Sequence, residues 1–504
     1  MPSTPVLSVI VAAGFRWRLT SLALSSFLLG TSSMALAVQD EAQPGDPGLR
    51  HRDVPASVPN ISGMWQVRGY DRYIKPEDGS LPPWLPWNKE AFDARAAAEA
   101  AGSPLYDPTA ACLPSGVPRI IAAPYPVEIV QTPDKTVFLY ETQHLFRVIH
   151  MNAEHPATLE PSYMGHAVGR WEGDTLVIDS VGFVDSTQID EQGSKHSAQM
   201  HVVERIRKLE NGSLEVRFTI DDPGAFSQAW TARRVWEWRP DVRFFEYVCE
   251  ENNRNAPDEN GVLRNLCSAG AKMNYFARLC RRAPALLFAT SLLPLLTFAA
   301  DDLPPDIGGT WQVSSYVKGV RDLQGQLPPF TTAGRQAYDS NLAERREMKP
   351  RSDMTRCVPS GTPRVMFAPL PMLILQTARK ITFIQEYHHQ LRHIYLDEPL
   401  PAIDAIELSF MGESVGRWEG DTLVIDTIGL HRDTVLDREG LPHTTDLRIS
   451  ERLRLLPGGK QLEDVITFTD PAYYSAPWST RVVYDAKPGV ELKEYNCLAV
   501  YEDL

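Results

Sequence analysis

Histidine is the side chain that gains and loses a proton closest to neutral pH, and 12 occur in this chain of 504 residues. Two of them recur in a setting that could use this property. His144 stands ahead of Arg147 and His389 ahead of Arg392, with Glu141 and Glu386 just before them. A neutral imidazole can take a proton, and a nearby arginine can hold a carboxylate or a developing enolate. Such a set could run acid–base chemistry of the lyase, isomerase or hydrolase kind. The same residues can equally form a satisfied structural His–Arg–Glu network. On an unbroken strand Glu141 and Arg147 share one face and His144 takes the other, so the catalytic use requires a bend. A second recurring pair, His196 and His443, sits in a loop before the strands that carry Glu204 and Glu451, and completes the catalytic candidates.

Candidate ligand-binding residues accompany these. Arg119 and Arg364 follow a proline in a repeated Ser-Gly-x-Pro-Arg run, and either enter a pocket or tie the loop down. Glu204 and Glu451 are counted with them. Trp230 and Trp478 serve either as stacking platforms or as core aromatics. The run Gly412-Glu413-Ser414-Val415-Gly416 has the form of a nucleophile elbow, which needs a strand, a sharp turn and then a helix. Here it leads into a hairpin, and the first half has Ala167 in place of the serine. Two histidines and a carboxylate could also hold a metal, yet no HExxH or comparable ligand spacing occurs, so no metal is expected. No Walker A loop, dinucleotide fingerprint or CxxCH is present, and no cofactor is expected.

The pairing of these residues rests on an internal repeat covering most of each half. PNISGMWQV at Pro59 returns as PDIGGTWQV at Pro305, and CLPSGVPRIIAAPYP at Cys112 as CVPSGTPRVMFAPLP at Cys357. The string VGRWEGDTLVID occurs unchanged at Val168–Asp179 and Val415–Asp426. The period far exceeds the 20–50 residues of a solenoid unit, so each copy is a domain. Cys112 and Cys249 answer Cys357 and Cys497, which in an exported protein predicts one disulfide per domain, Cys112–Cys249 and Cys357–Cys497. Short Cys-x-x-Cys arms of a zinc site are missing.

A basic start at Arg16 and Arg18, an apolar run and an Ala-Leu-Ala exit give residues 1–37 the layout of a secretory signal peptide. Residues 273–300 repeat that layout mid-chain, which reads as two exported precursors joined, by fusion or concatenation. The domains are then 38–272 and 301–504, in a periplasmic or secreted protein. The net charge of -14 and pI near 5.4 argue against nucleic acid, whose phosphates need a basic face, and disfavour anionic lipid.

Each half predicts one short helix, from about Asn88 as N-cap to Gly102 and again around 333–348, followed by strands. TVFLYE, RVIHM, TLVIDSVGF, HVVERIRKL, SLEVRFTI, TARRVWEW and FFEYVC alternate apolar with polar residues. The fold class is mainly β: two homologous antiparallel barrels or sandwiches, each with one short helix. The repeated string predicts a hairpin, with Val168–Trp171 and Thr175–Asp179 pairing across Glu172-Gly173-Asp174.

The CxPSGxPR run, an IxQT strand and WEGDTLVID together resemble a group of uncharacterised exported bacterial proteins, over both halves outside the leaders. Gly63-Met64-Trp65 and Gly309-Thr310-Trp311 resemble the Gly-x-Trp that opens lipocalin-type barrels, a likeness that implies a tryptophan plugging one end. The leading expectation is an exported protein whose domains each enclose a pocket for a small, partly apolar ligand. An acid–base enzyme on the same scaffold, and a structural assembly module of paired domains, are the alternatives. The two domains are expected to pair as a pseudo-dimer, or as a heterodimer if the chain is two joined precursors.

Overall fold

The computed structural model describes residues 45–248 apart from 104 and 106, together with 303–346 and 359–495. Both leader-like segments lie outside the described residues, as do Cys249, Cys267, Cys280, Cys357 and Cys497. The described chain is mainly β, with two closed nine-stranded barrels and two α-helices. The first barrel comprises β1 (Gly63–Val67), β2 (Val127–Gln131), β3 (Lys135–Tyr140), β4 (Phe146–Met151), β5 (His166–Glu172), β6 (Thr175–Val181), β7 (His201–Lys208), β8 (Leu214–Asp221) and β9 (Trp230–Trp238). The second comprises β10 (Gly309–Val313), β11 (Met372–Gln376), β12 (Lys380–Gln385), β13 (Leu391–Leu396), β14 (Glu413–Glu419), β15 (Thr422–Ile428), β16 (Arg448–Leu455), β17 (Gln461–Thr469) and β18 (Trp478–Ala486). Helices α1 (Pro86–Ala100) and α2 (Thr332–Arg346) follow the first strand of each.

Each strand pairs with the next, and the last closes on the first in antiparallel fashion. A ring returns to its starting direction only through an even number of reversals, so nine strands close this way only if one junction keeps direction. That junction is β4 beside β5, and β13 beside β14, both parallel. A parallel neighbour needs a long crossover, here residues 152–165 and 397–412. The arrangement differs from the eight-stranded up-and-down lipocalin ring, although Gly-x-Trp does open β1 and β10. Gly63 has φ +132°, and a Cβ there would stand 2.1 Å from the Trp238 ring, so only glycine fits.

Alternation decides which side chains fill the rings. On β7, Val202, Glu204 and Ile206 are buried while Arg205 and Arg207 are exposed. Leu176 and Ile178 of the repeated string join the first core, whose largest buried members include Trp65, Phe138, Phe218 and Trp236. The predicted hairpin is present: Glu172 pairs with Thr175 across Gly173-Asp174, and Gly173 takes φ +65° at the leading turn position, where glycine is favoured.

Two expectations need correction. Asn88 is not an N-cap. Helix α1 begins at Pro86, whose missing N–H costs nothing in the first turn, and buried Asn88 instead exchanges two hydrogen bonds with the Lys195 backbone, both 2.8–2.9 Å. The described part of FFEYVC is not a strand. Its alternate N–H groups are taken by side chains: Phe245 donates to Glu141 at 3.0 Å and Tyr247 to Nε2 of His144 at 3.0 Å. The second half repeats this, Lys493 donating to Glu386 and Tyr495 to Nε2 of His389.

The barrels touch. Val130, Val137, Leu139 and Phe146 form one buried apolar cluster with Leu373, Leu375, Ile384 and Leu391. Within this contact Lys380 donates to Glu128, both buried. Each terminal segment then reaches the opposite barrel. The Glu246 carboxylate accepts from the N–H groups of Phe410 and Met411, and that of Glu494 from those of Tyr163 and Met164.

Candidate functional site

The sequence-predicted residues divide among three places. The first is the barrel interior. Arg147 on β4 points inward, with its guanidinium 2.5 Å from Glu204 on β7 and donating to Ser180 at 2.5 Å. Arg392 on β13 is held more completely. Its Nη1 donates to Glu451 at 3.0 Å, Nη2 pairs with the other carboxylate oxygen and donates to Thr427 at 2.8 Å, and Nε donates to Ser414 at 3.2 Å. Burial alone would lower each arginine, but the facing glutamate outweighs it and holds both above their usual value.

The second interior carries one more acid. Asp464 on β17 stands where the first barrel has Val216, judged by strand register. Burial, reinforced by the charge of Glu451, pushes the Asp464 carboxyl well above the usual carboxylate range, and its Oδ1 has no hydrogen-bond partner among the described residues. Tyr484, where the first barrel has Trp236, donates to the Met366 carbonyl at 3.1 Å. Ser414 of the elbow-like run lies within this network on a continuous strand, with Thr427 Oγ1 2.8 Å away.

The second place is the tight turn before β4 and β13. His144 and His389 both adopt φ +50°, the bend that the sequence left open. The bend does not bring His144 to Arg147, because the two engage separate partners. Each Nε2 lone pair receives the N–H of a terminal-segment residue, Tyr247 or Tyr495. Burial depresses both imidazoles to about 4, so they are neutral acceptors at physiological pH.

The third place is scattered structure. His196 and His443 each direct Nδ1 at a backbone carbonyl, which requires N–H there, leaving Nε2 to accept from Thr187 or Thr434 at 2.6 Å. Arg119 makes a buried two-pronged pair with Asp107, 2.9 Å on each arm, and ties down its loop. Arg364 is buried beside Tyr387 and Asp437. Trp230 packs on Phe226, and Trp478 on Phe468 and Tyr474, as core aromatics. Cys112 is disulfide-bonded, and its partner lies outside the described residues.

Open space lies between the barrels and, separately, at the start of α2, where an open depression of about 650 Å³ is lined by Phe330, Arg335 and Asp339. A groove of about 610 Å³ is bordered by β4, the 152–165 crossover, β5 and the terminal segment of the second half. Phe146, Val148, Leu159 and Leu373 supply apolar wall, while His150, His166, Glu491 and Lys493 supply polar groups. Of the predicted residues only Arg147 and His389 border it. Sequence reasoning missed His150, His155 and His166 because it kept only histidines present in both halves. The crowding of these three around one strand and its crossover was the available signal.

Among the described residues no helix is long and apolar enough to cross a membrane. No family profile matches the chain, and no curated protein matches it. Among solved structures it is similar to a putative outer membrane protein of Bacteroides fragilis NCTC 9343, at 8% identity over 73% of this chain and 90% of that one, with a TM-score of 0.16. A likeness at that score carries no argument about role.

Proposed function

We propose that this is an exported binding protein whose two barrels pair to form the site, a groove taking a small, partly apolar molecule. The groove between the halves carries this reading: its size is that of a small-molecule site, and a few polar groups converge among apolar ones. Pairing supports it physically, since the crossover of the first barrel and the terminal segment of the second each supply one wall. The ligand site thus moves from within each domain, where the sequence set it, to the seam between them.

Capture from a metabolite extract, read by mass spectrometry, tests this. The mature two-domain chain should retain a defined small molecule, and Leu159→Arg should release it without changing the melting temperature. Retention of the same molecule by both proteins, or of none by the wild type, would overturn the reading. The apolar face shared by the barrels also favours a second reading, in which pairing itself is the role and the groove stays empty.

A further inference from the structure

On the first-barrel wall of the groove, a chain of imidazoles ends in an available lone pair. Asp179, last residue of the repeated hairpin string, lies 3.1 Å from His155 Nε2 and 2.9 Å from His201 Nε2. A carboxylate only accepts, so both nitrogens carry hydrogens. With a single ring hydrogen, placed on Nε2 by Asp179, His155 has a bare Nδ1, and this atom is 2.8 Å from Nδ1 of His166. His166 therefore donates from Nδ1 and keeps Nε2 free of a proton. Asp179 sets the tautomer of His166 at one remove, as the outer partners of metal-bound histidines do.

Two further donors converge on this histidine. The His150 ring stacks on that of His166, centroids 5.1 Å apart and planes 6° from parallel. His150 Nε2 is 3.3 Å from a carboxylate oxygen of Glu491, which the other half of the chain contributes. One donor atom from each of the three lies within 4.8 Å of the others. Ligands around a tetrahedral ion with bonds of about 2.1 Å sit about 3.4 Å apart; rotation of the exposed Glu491 side chain brings its oxygen to that spacing, and one of the two stacked rings must turn for both imidazole lone pairs to meet at the ion.

We propose that His150, His166 and Glu491 bind a divalent first-row transition ion, with His155 and Asp179 positioning His166. Two imidazoles and one carboxylate suit zinc and its neighbours, and leave a coordination position facing the groove. The neighbouring Lys135 cation is paired with Asp134, which limits its repulsion of an ion.

The second half provides an internal control. By register and tail position, Tyr395, Glu413 and Arg243 stand where His150, His166 and Glu491 do. There Arg243 lies 4.0 Å over the Tyr395 ring and pairs with Glu398 at 2.5 Å and Glu413 at 3.5 Å. A fixed guanidinium charge occupies the place that an ion takes in the first half. A different histidine–carboxylate group, His51 with Asp53 and Asp306, lacks a spare nitrogen: Nε2 faces Asp306 and Nδ1 accepts from the Asp53 N–H.

The inference goes beyond the groove reading, which needs no ion. Titration calorimetry of the chelator-treated full chain with zinc chloride, no organic ligand present, should show one site. His150→Ala/His166→Ala should abolish it, as should Glu491→Arg, which changes only an exposed side chain. His155→Phe keeps all three donors and should weaken binding by roughly 10–100-fold. Cobalt in place of zinc should give the visible absorption of a low-symmetry site, lost in the same variants. Equal zinc binding by the wild type and the folded double variant, or none by the wild type, would sink the proposal. Metabolite capture repeated in excess chelator reports on the groove reading separately.

Discussion

Glu494 and Tyr163, 331 residues apart in sequence, are joined by a 2.7 Å hydrogen bond from the tyrosine backbone N–H to the glutamate carboxylate. The second carboxylate oxygen takes the N–H of Met164, and Glu246 makes the mirrored pair with Phe410 and Met411. Hydrogen bonds to a charged group contribute about 1.5–3 kcal/mol each, and a glutamine retains one acceptor of the two. Glu494→Gln and Glu246→Gln should each lower the urea-derived stability by about 1.5–3 kcal/mol. The two losses should add, since the clamps share no partner.

His144 and His389 are neutral when folded, with values of about 4, and return to about 6.5 when unfolded. Between those values the unfolded chain binds protons that the folded chain refuses. Their contribution is complete above pH 6.5 and is lost as the pH falls toward 4, about 3 kcal/mol for each histidine. Glutamine at both positions can still accept the Tyr247 and Tyr495 N–H groups without titrating. Denaturant melts at pH 7, 5 and 4 should show a shallower decline for His144→Gln/His389→Gln than for the wild type.

Much of the barrels was legible because antiparallel strands facing core on one side and water on the other alternate every second residue, as β7 and β8 do. Closure was not legible, since alternation says nothing of which strand seals the ring. FFEYVC alternated too, but its N–H groups are met by Glu141 and His144 and not by a neighbouring strand. The repeat singled out what both halves share, namely the inner arginine–glutamate pairs and the turn histidines. By the same logic it hid His150, His166 and Glu491, which only the combined halves assemble.

Arg392 faces two carboxylates, Glu451 and Asp464, in a closed interior. Asp464 ionises far more readily in the unfolded chain than when buried, so its burden on stability grows as the pH rises above the ordinary aspartate range. Asp464→Val, which installs the residue type of Val216, should raise stability by about 1 kcal/mol or more at pH 8, and by less at pH 5. Arg392→Met should cost about 3–5 kcal/mol by stranding Glu451. A lower melting point for Asp464→Val at pH 8 would contradict this account.

Cys112 is already in a disulfide. Peptide mapping without reductant should recover Cys112–Cys249 and Cys357–Cys497, each within its own half. Bridges closing loops of this length stabilise by about 4–5 kcal/mol in the chain-entropy treatment, so reduction should lower the melting temperature by many degrees. Recovery of Cys112 bonded to Cys497 would instead show the terminal segments exchanged.

The buried Lys380–Glu128 pair has no counterpart at the equivalent positions of the opposite halves, where Lys135 and Leu373 stand. Two copies of the second half, set face to face, would bury Lys380 twice against a leucine and place Glu491 beside Glu413 and Glu398. Two copies of the first half would place Arg243, not Glu491, beside His150 and His166. On these charges a chain cut between the halves is expected to reassemble into mixed couples from any blend of the two pieces.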